Sequence, residues 1–315
     1  MMPWLLSGLG LLILLLAGDS LVKGAVNLSL RLGVPALIVS LTIVAFGTSA
    51  PELLISVQAI LDNAPGLALG NVVGSNTANI LLVLGIPALL ATMHTSECNT
   101  RKTYVFMMMA SVLFIALAFR GVFDWMSGVV LLGALAFVLG DAFRDAHLHR
   151  RACKADEEEE PEGADPNLPM WRILIFLALG LVGLPLGADL LVDNATIIAK
   201  QYGISDTVIG LTLVAIGTSL PELATTVMAA LRRQADVALG NVIGSNMFNL
   251  LAIIGVSSFV GQIPVDPEFL NFDFWVMLAA SAMLAPFVFA GWNITRIWGV
   301  VLSVLYVSYL VLLLT

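Results

Sequence analysis

Residues 42–53 read TIVAFGTSAPEL and residues 212–223 read TLVAIGTSLPEL, with nine of twelve positions identical. The two segments lie 170 residues apart. The same spacing relates ALGNVVGSNTANIL at 68–81 to ALGNVIGSNMFNLL at 238–251, with ten of fourteen positions identical. It also pairs Asp19 with Asp189, Gly33 with Gly203 and Gly85 with Gly255. The chain therefore reads as two copies of one unit, and its N-terminal stretch belongs to the first copy. Leu11–Ala17 has the look of a secretory core, but no basic segment precedes it, so it is expected to remain as a first helix.

Of 315 residues, 59% are hydrophobic and 11% charged, against about 25% charged in an ordinary soluble domain. Too little polar surface is available for a soluble enzyme or a nucleic-acid-binding module, and the chain reads as a multi-pass membrane protein. The net charge of −8 is local: seven acids lie between Asp156 and Asp165, and without them the balance is −1. No basic footprint for nucleic acid is present. Cys98 and Cys153 sit in different polar connections and suggest no disulfide framework.

A membrane-crossing helix needs about 20 mostly apolar residues. Ten such runs are present, at 3–29, 34–61, 67–92, 103–119, 122–143, 171–199, 206–231, 237–260, 272–290 and 294–314. Five fall in each copy, and an odd number makes the second copy enter the membrane from the opposite side. The expected fold is an all-α integral membrane protein of ten helices. Two inverted five-helix repeats, 1–143 and 171–315, are joined by an acidic, proline-bearing cytoplasmic linker at 144–170 that reads as disordered. Lys and Arg set the orientation. With the N-terminus outside, eleven of the fourteen fall on cytoplasmic connections, Arg120 and Lys200 fall outside, and Lys23 lies within the first helix. Both termini then face outward and both cysteines face the reducing cytoplasm.

Glu52 and Glu222 stand in the middle of apolar runs, where a carboxylate costs at least ~2.5 kcal/mol and marks an ion or proton pathway. A structural pair of acids satisfied by hydroxyls is the plainer alternative, and the matching chemistry around both copies argues against it. Pro51 and Pro221 remove a backbone donor and crowd the carbonyl four residues earlier. Those carbonyls belong to Gly47 and Gly217, so each helix is expected to kink or unwind there. Exposed carbonyls at membrane depth are tolerated only inside protein or along a cavity. Thr48 and Ser49, like Thr218 and Ser219, precede their Glu by four and three residues and so share its helix face. Ser75 with Asn79, and Ser245 with Asn249, are further polar pairs four residues apart. Hydroxyl, carbonyl and carboxylate oxygens form the ligand set of a hard cation such as Ca²⁺.

For these Ser and Asn residues packing alone is the alternative to cation ligation. Gly70, Gly74, Gly240 and Gly244 leave room for close helix approach. Asn71, Asn76, Asn241 and Asn246 are expected to bond backbone at helix starts or to tie helices together. Asp19 and Asp189 are either pathway residues or partners for polar groups at the site.

In these motifs, GTSAPE with GSNTAN and GTSLPE with GSNMFN, the sequence resembles the Na⁺/Ca²⁺ exchanger branch of the cation/Ca²⁺ antiporter superfamily. The resemblance implies a secondary antiporter of the bacterial inner-membrane type, exchanging Ca²⁺ for Na⁺ by alternating access. It implies a monomer in the plasma membrane, with no cofactor and no enzymatic activity. It also implies that Glu52 and Glu222 are the central Ca²⁺ carboxylates. Thr48, Ser49, Thr218, Ser219, Ser75, Ser245, Asn79 and Asn249, with the Ala45 and Ala215 carbonyls, would complete the Ca²⁺ and Na⁺ positions.

Many members of that family carry Asp where this chain has Asn249. Two Glu supply a charge of −2, which balances one Ca²⁺, two Na⁺ or two protons, whereas three Na⁺ leave a site at +1. H⁺-coupled Ca²⁺ exchange on the same scaffold is thus the nearest alternative. A cation channel using the same oxygens and an intramembrane hydrolase using Asp19 or Asp141 are alternatives of other classes. Inverted repeats with interrupted helices suit a transporter better than a channel.

Overall fold

The computed structural model describes residues 2–95, 98, 100–152, 165, 167–203 and 215–314. The chain is almost wholly helical. Helix α1 (Met2–Leu32) is followed by a bent pair, α2 (Ala36–Thr48) and α3 (Ala50–Leu61), and then by α4 (Pro65–Leu90), α5 (Arg101–Ala118) and α6 (Trp125–Ala152). The second copy contains α7 (Met170–Gln201), α8 (Leu220–Leu231), α9 (Ala235–Val260), α10 (Phe269–Phe289) and α11 (Arg296–Leu314). Among the described residues eight helices are long and apolar enough to cross a membrane, and nine if the bent pair counts as one span. The remaining expected span, 206–231, is described only from the short helix Ala215–Gly217 onward, where it leads into α8. The ten-helix plan is compatible with this.

One boundary differs from the sequence reading. Residues 144–152, assigned to the linker, continue α6 as far as Ala152. Polar, straight-chain residues such as Arg144 extend a helix beyond an apolar stretch as readily as apolar ones. Cys153 and the acids 156–162 lie outside the described residues. At the other end of α6, Asp124 caps the first turn, accepting bonds from the Ser127 N–H (2.9 Å) and hydroxyl (3.0 Å). The Ser127 bonds, helped by Arg120, hold the Asp124 carboxyl below its ordinary range.

Strand pairing fixes the relation of the copies. Strand β1 (Val122–Phe123) pairs antiparallel with β2 (Ile263–Pro264), and Met93 bridges to Ile294. Met93 and β1 lie at opposite ends of α5, and β2 and Ile294 at opposite ends of α10. The connection entering α10 thus shares a face with the connection leaving α5, and the connection leaving α10 shares a face with the one entering α5. Parallel copies would pair entry with entry. These are inverted repeats.

The backbone carries the same repeat. The six described residues with positive φ form three pairs 170 apart: Gly33 with Gly203, Asn63 (58°) with Arg233 (56°), and Gly121 with Gly291. Each stands just past a helix end, where a left-handed residue closes off the last carbonyls.

Helices α4 and α9 form the centre, with 83% and 94% of their apolar windows buried, against 22–39% for the other long spans. The polar GNVVGSN and GNVIGSN segments are therefore withdrawn from lipid, while α1, α6, α7 and α11 turn Leu and Val outward. The copies interlock through small residues, which let backbones approach closely. A Cβ on Gly10 of α1 would lie 2.9 Å from the Gly187 carbonyl oxygen of α7. Gly85 of α4 abuts Ser303 of α11, and Gly255 of α9 abuts Leu132 of α6, so each copy's third helix is held by the other copy's fifth.

Candidate functional site

The second segment of each copy breaks at a serine. Ser49 (φ −85°, ψ 0°) separates α2 from α3, which meet at 41°. Ser219 (φ −92°, ψ 3°) precedes α8 in nearly the same conformation. Pro51 and Pro221 stand in the first turn of the helix that follows, where a missing N–H would be unpaired anyway. The proline thus begins a new helix after the break. Glu52 and Glu222 fall in the first turns of α3 and α8, the end of a helix that favours negative charge.

Both carboxylates are wholly buried. Glu222 Oε1 accepts hydrogen bonds from Ser49 Oγ (3.2 Å) and Ser245 Oγ (3.5 Å). Glu52 is approached by the Ser75 and Ser49 hydroxyls and by the Asn249 amide. In the orientation that satisfies its neighbours, that amide donates to Glu52 Oε2 (3.3 Å) and to the Ser245 carbonyl (3.2 Å). The Thr48 hydroxyl bonds to the Ala45 carbonyl (3.2 Å) and lies 3.3 Å from Asn241 Oδ1 and 3.5 Å from Ser245 Oγ.

A layer of asparagines surrounds this centre. The Asn241 amide donates to the Glu222 carbonyl (3.3 Å) and to Thr226 Oγ1 (3.2 Å). In the first copy, Asn71 donates to Ser56 (3.3 Å) in the same way. Asn76 and Asn246 exchange amide-to-carbonyl bonds of 3.3 and 3.4 Å across the pseudo-two-fold, and Asn79 donates to Asn246 Oδ1 (3.1 Å). The expected interhelical role of Asn71, Asn76, Asn241 and Asn246 is what the structure contains.

Four buried oxygens at this centre lack a hydrogen-bond partner among the described residues: Glu52 Oε1, Glu222 Oε2, Asn79 Oδ1 and Ser219 Oγ. Leaving buried polar atoms unpaired is costly, and a hard cation is the group that such oxygens satisfy. No cluster of three or more His, Cys, Asp or Glu occurs among the described residues. The donor set is thus two carboxylates with neutral oxygens, suited to Ca²⁺ or Na⁺ and not to a soft metal.

The structure brings together Glu52, Glu222, Thr48, Ser49, Ser75, Ser245 and Asn249, and adds the unpartnered oxygens of Asn79 and Ser219. Thr218 is only half-buried. The Ala45 carbonyl already receives the Thr48 hydroxyl and the Ser49 N–H, and Ala215 opens the short helix before the second break. Asp19 is paired with Lys23 and Arg232, and Asp189 is exposed. Asp141 is paired with Lys102.

Gly240 and Gly244 do permit close approach, to Ser40 and to the Leu41 carbonyl. Gly70 and Gly74 meet nothing comparably close among the described residues. Residues 207–215, which correspond to the α2 segment touched by α9, lie almost wholly outside them.

Sequence reasoning missed Ser40, Ser56 and Thr226. Ser40 donates to the Val237 carbonyl (2.6 Å). Ser56 and Thr226 each follow their Glu by four residues and lie 170 apart, so the repeat itself marks them.

The sodium/calcium exchanger protein family model matches residues 2–140 and 172–315. The chain is 35% identical over 342 residues to the sodium/calcium exchanger MaX1 of Methanosarcina acetivorans, covering 97% of this chain and 96% of that one. It is 34% identical over 280 residues to the inner membrane protein YrbG of Escherichia coli, covering 88% and 85%. A structure of the sodium-calcium exchanger NCX_Mj, soaked with 2.5 mM Na⁺ and 1 mM Sr²⁺, superposes with a TM-score of 0.83 at 32% identity, over 99% of this chain and 98% of that one. Proteins named as exchangers are transporters, which removes the hydrolase reading. With its inverted helical repeats and full-length match, the chain belongs to the sodium/calcium exchanger family of membrane ion transporters.

Proposed function

We propose that the chain is a secondary antiporter that exchanges Ca²⁺ for Na⁺ by alternating access, with Glu52 and Glu222 as the central cation ligands. The observation that carries this reading is the pair of wholly buried carboxylates, one from each inverted copy, each with an oxygen unpartnered among the described residues. Thr48, Ser49, Ser75, Ser245, Thr218, Ser219, Asn79 and Asn249, with the Ala45 and Ala215 carbonyls, complete the shell. The names of MaX1 and NCX_Mj support Na⁺ as the coupling ion.

Coupling follows from charge. An empty pair of ionised carboxylates carries −2, and burying uncompensated charge costs several kcal/mol per ion. The protein therefore changes sides only with Ca²⁺ or an equivalent positive load aboard, which is the condition for exchange. Asn249 donates a hydrogen bond to Glu52 and adds no charge. The site accordingly balances one Ca²⁺ against two Na⁺, or against two H⁺ in the second reading, which the same residue favours.

The proposed arrangement in the membrane has both termini outside, repeats at 1–143 and 171–315, and the acidic segment 144–170 in the cytoplasm. The excess of Lys and Arg on those connections supports it. The chain works as a monomer in the plasma membrane, in keeping with YrbG being an inner membrane protein.

Uptake of radioactive Ca²⁺ into proteoliposomes under an imposed Na⁺ or pH gradient tests the function. An outward Na⁺ gradient is expected to drive accumulation. Accumulation driven by pH alone would replace Na⁺ by H⁺, and Ca²⁺ entry that needs no counter-ion would make the protein a channel.

A further inference from the structure

The two copies are not packed alike. Gly18 of α1 lies directly on α8: a Cβ there would be 2.9 Å from the Ala224 carbonyl oxygen and 3.3 Å from the Thr225 nitrogen. Ala224 and Thr225 are accordingly 7% and 0% exposed. The corresponding residues of α3, Leu54 and Ile55, are 71% and 40% exposed. Helix α7 therefore does not cover α3 as α1 covers α8.

The charges differ in the same sense. Next to Gly18, Asp19 accepts from Nε and Nη2 of Arg232, which follows α8, at 2.5 Å each, and pairs with Lys23 at 2.9 Å. Shifted by 170 residues, Asp19, Lys23 and Arg232 become Asp189, Asp193 and Asp62. One acid and two bases on the packed face are replaced by three acids on the open one. All three are exposed, and the Asp62 carboxylate accepts a bond from its own-helix neighbour Gln58 (2.9 Å).

We propose that Asp19 and Arg232 form a latch that holds α1 on α8, and that Asp62, Asp189 and Asp193 keep α7 off α3, so that the exchanger rests open toward the Asp62 face. The proposal rests on alternating access. In the opposite state the inverted copies exchange their packing, α7 closes on α3, and Asp189 comes beside Asp62 as Asp19 now lies beside Arg232. That state breaks a charge-assisted guanidinium–carboxylate contact in which Nε and Nη2 share Asp19 Oδ1, and gathers like charges whose mutual repulsion grows as water is excluded. Both effects oppose it. Asp19 and Arg232 are thus positioning residues for transport, and on the topology proposed above the open face is the extracellular one.

Paired spin labels at Leu61→Cys on α3 and Ile197→Cys on α7, both exposed positions, report closure of the Asp62 face in full-length protein with Cys98 and Cys153 replaced by Ser. Without further change the label distance is expected to be mostly long. Asp62→Arg supplies the missing base opposite Asp189 and Asp193, and should raise the short-distance population several-fold. Arg232→Asp should do the same by releasing the latch. The charge swap Asp19→Arg/Arg232→Asp, which restores opposite signs, should return the original distribution. Asp62 is exposed, so its variant keeps the test available even if Arg232→Asp fails to fold. A distance that moves between Na⁺ and Ca²⁺ solutions but is unmoved by both Asp62→Arg and Arg232→Asp overturns the latch alone. A distance that no ion and no variant moves overturns alternating access as well.

Discussion

Glu52 and Glu222 come from nearly identical motifs and sit in unlike neighbourhoods. Glu222 is held by two hydroxyls from different helices, Ser49 and Ser245. Glu52 is met by two hydroxyls, Ser75 and Ser49, and also by the amide of Asn249. A hydroxyl keeps two lone pairs while donating its proton, so it can bind carboxylate and cation together; an amide nitrogen has only donors to offer. On the proposed reading, hydroxyls on both sides can turn to an arriving cation, and the Glu52 side differs in also having an amide donor standing where a ligand would help. Two-fold symmetry in the sequence does not carry through to the site. Under the proposed alternating access, each state is asymmetric because the inverted copies exchange roles between states.

The largest effect expected is from removing either charge. Glu52→Gln and Glu222→Gln each leave a divalent ion half-compensated, and Ca²⁺ uptake in proteoliposomes should fall at least ~100-fold, equivalent to about 2.7 kcal/mol. The protein should still insert and elute as a single species. Wild-type uptake by either variant would remove that Glu from the site and end the comparison.

A smaller effect is expected from Gly244→Val, which acts first on the Glu222 side. A Cβ there would already lie 2.6 Å from the Leu41 carbonyl oxygen and from Ala45 Cβ. Overpacking of this kind costs about 1–3 kcal/mol and pushes Ser245 away from Glu222 and Thr48. The melting temperature should drop, and its rise on adding Ca²⁺ should shrink. An unaltered Ca²⁺-dependent rise would show that Ser245 does not touch the ion.

Ser49→Ala and Ser219→Ala sharpen the comparison further. A hydrogen bond to a charged group is worth about 1.5–3 kcal/mol, so Ser49→Ala should weaken Ca²⁺ binding roughly tenfold, measured by titration calorimetry. Ser219, whose hydroxyl is unpartnered among the described residues, has no carboxylate bond to lose, so Ser219→Ala removes only its proposed ion contact and should show a smaller change. Equal losses would mean that the loaded site is more symmetric than the one described.

Much of this was legible in the sequence because it is periodic or local. Ten apolar runs, the 170-residue register and the two Glu-bearing motifs gave the inverted architecture, and Pro51 and Pro221 placed the breaks to within two residues. The serine hinge was not legible, since nothing in GTSAPE distinguishes a kink at glycine from a break two residues later.

Nor could helical spacing reveal that Ser49 serves Glu222. Its spacing puts Ser49 near Glu52, which it does meet, but the break in the helix also lets it form a contact that spans 173 residues. Helix irregularities past the GSN motifs were equally hidden. Helix α4 is interrupted at Leu82–Leu84, where Pro87 removes the donor to the Val83 carbonyl. Helix α9 has Ser257 at the matching place and winds through a π turn at Phe248–Ile253 instead. Such turns recur at functional sites and have no propensity signal of their own.

The subtlest expected effect concerns Asn249, which separates the two neighbourhoods. Asn249→Asp replaces a donor 3.3 Å from Glu52 Oε2 by a third acid, taking the compensating charge from −2 to −3 when all three ionise. Three Na⁺ then balance the site, where two did before. The Na⁺ dependence of Ca²⁺ efflux from proteoliposomes should steepen, with a Hill slope closer to three than to two. If the new acid holds a proton it becomes a donor toward Glu52 again and the count returns to −2, so the slope should revert as the medium is acidified. The competing account is that Asn249 only ties α9 to α3 and that coupling is set elsewhere. A variant that still transports, with a Na⁺ slope unchanged from acidic to alkaline medium, would establish that account, and the unlike neighbourhoods of Glu52 and Glu222 would then be a matter of packing alone.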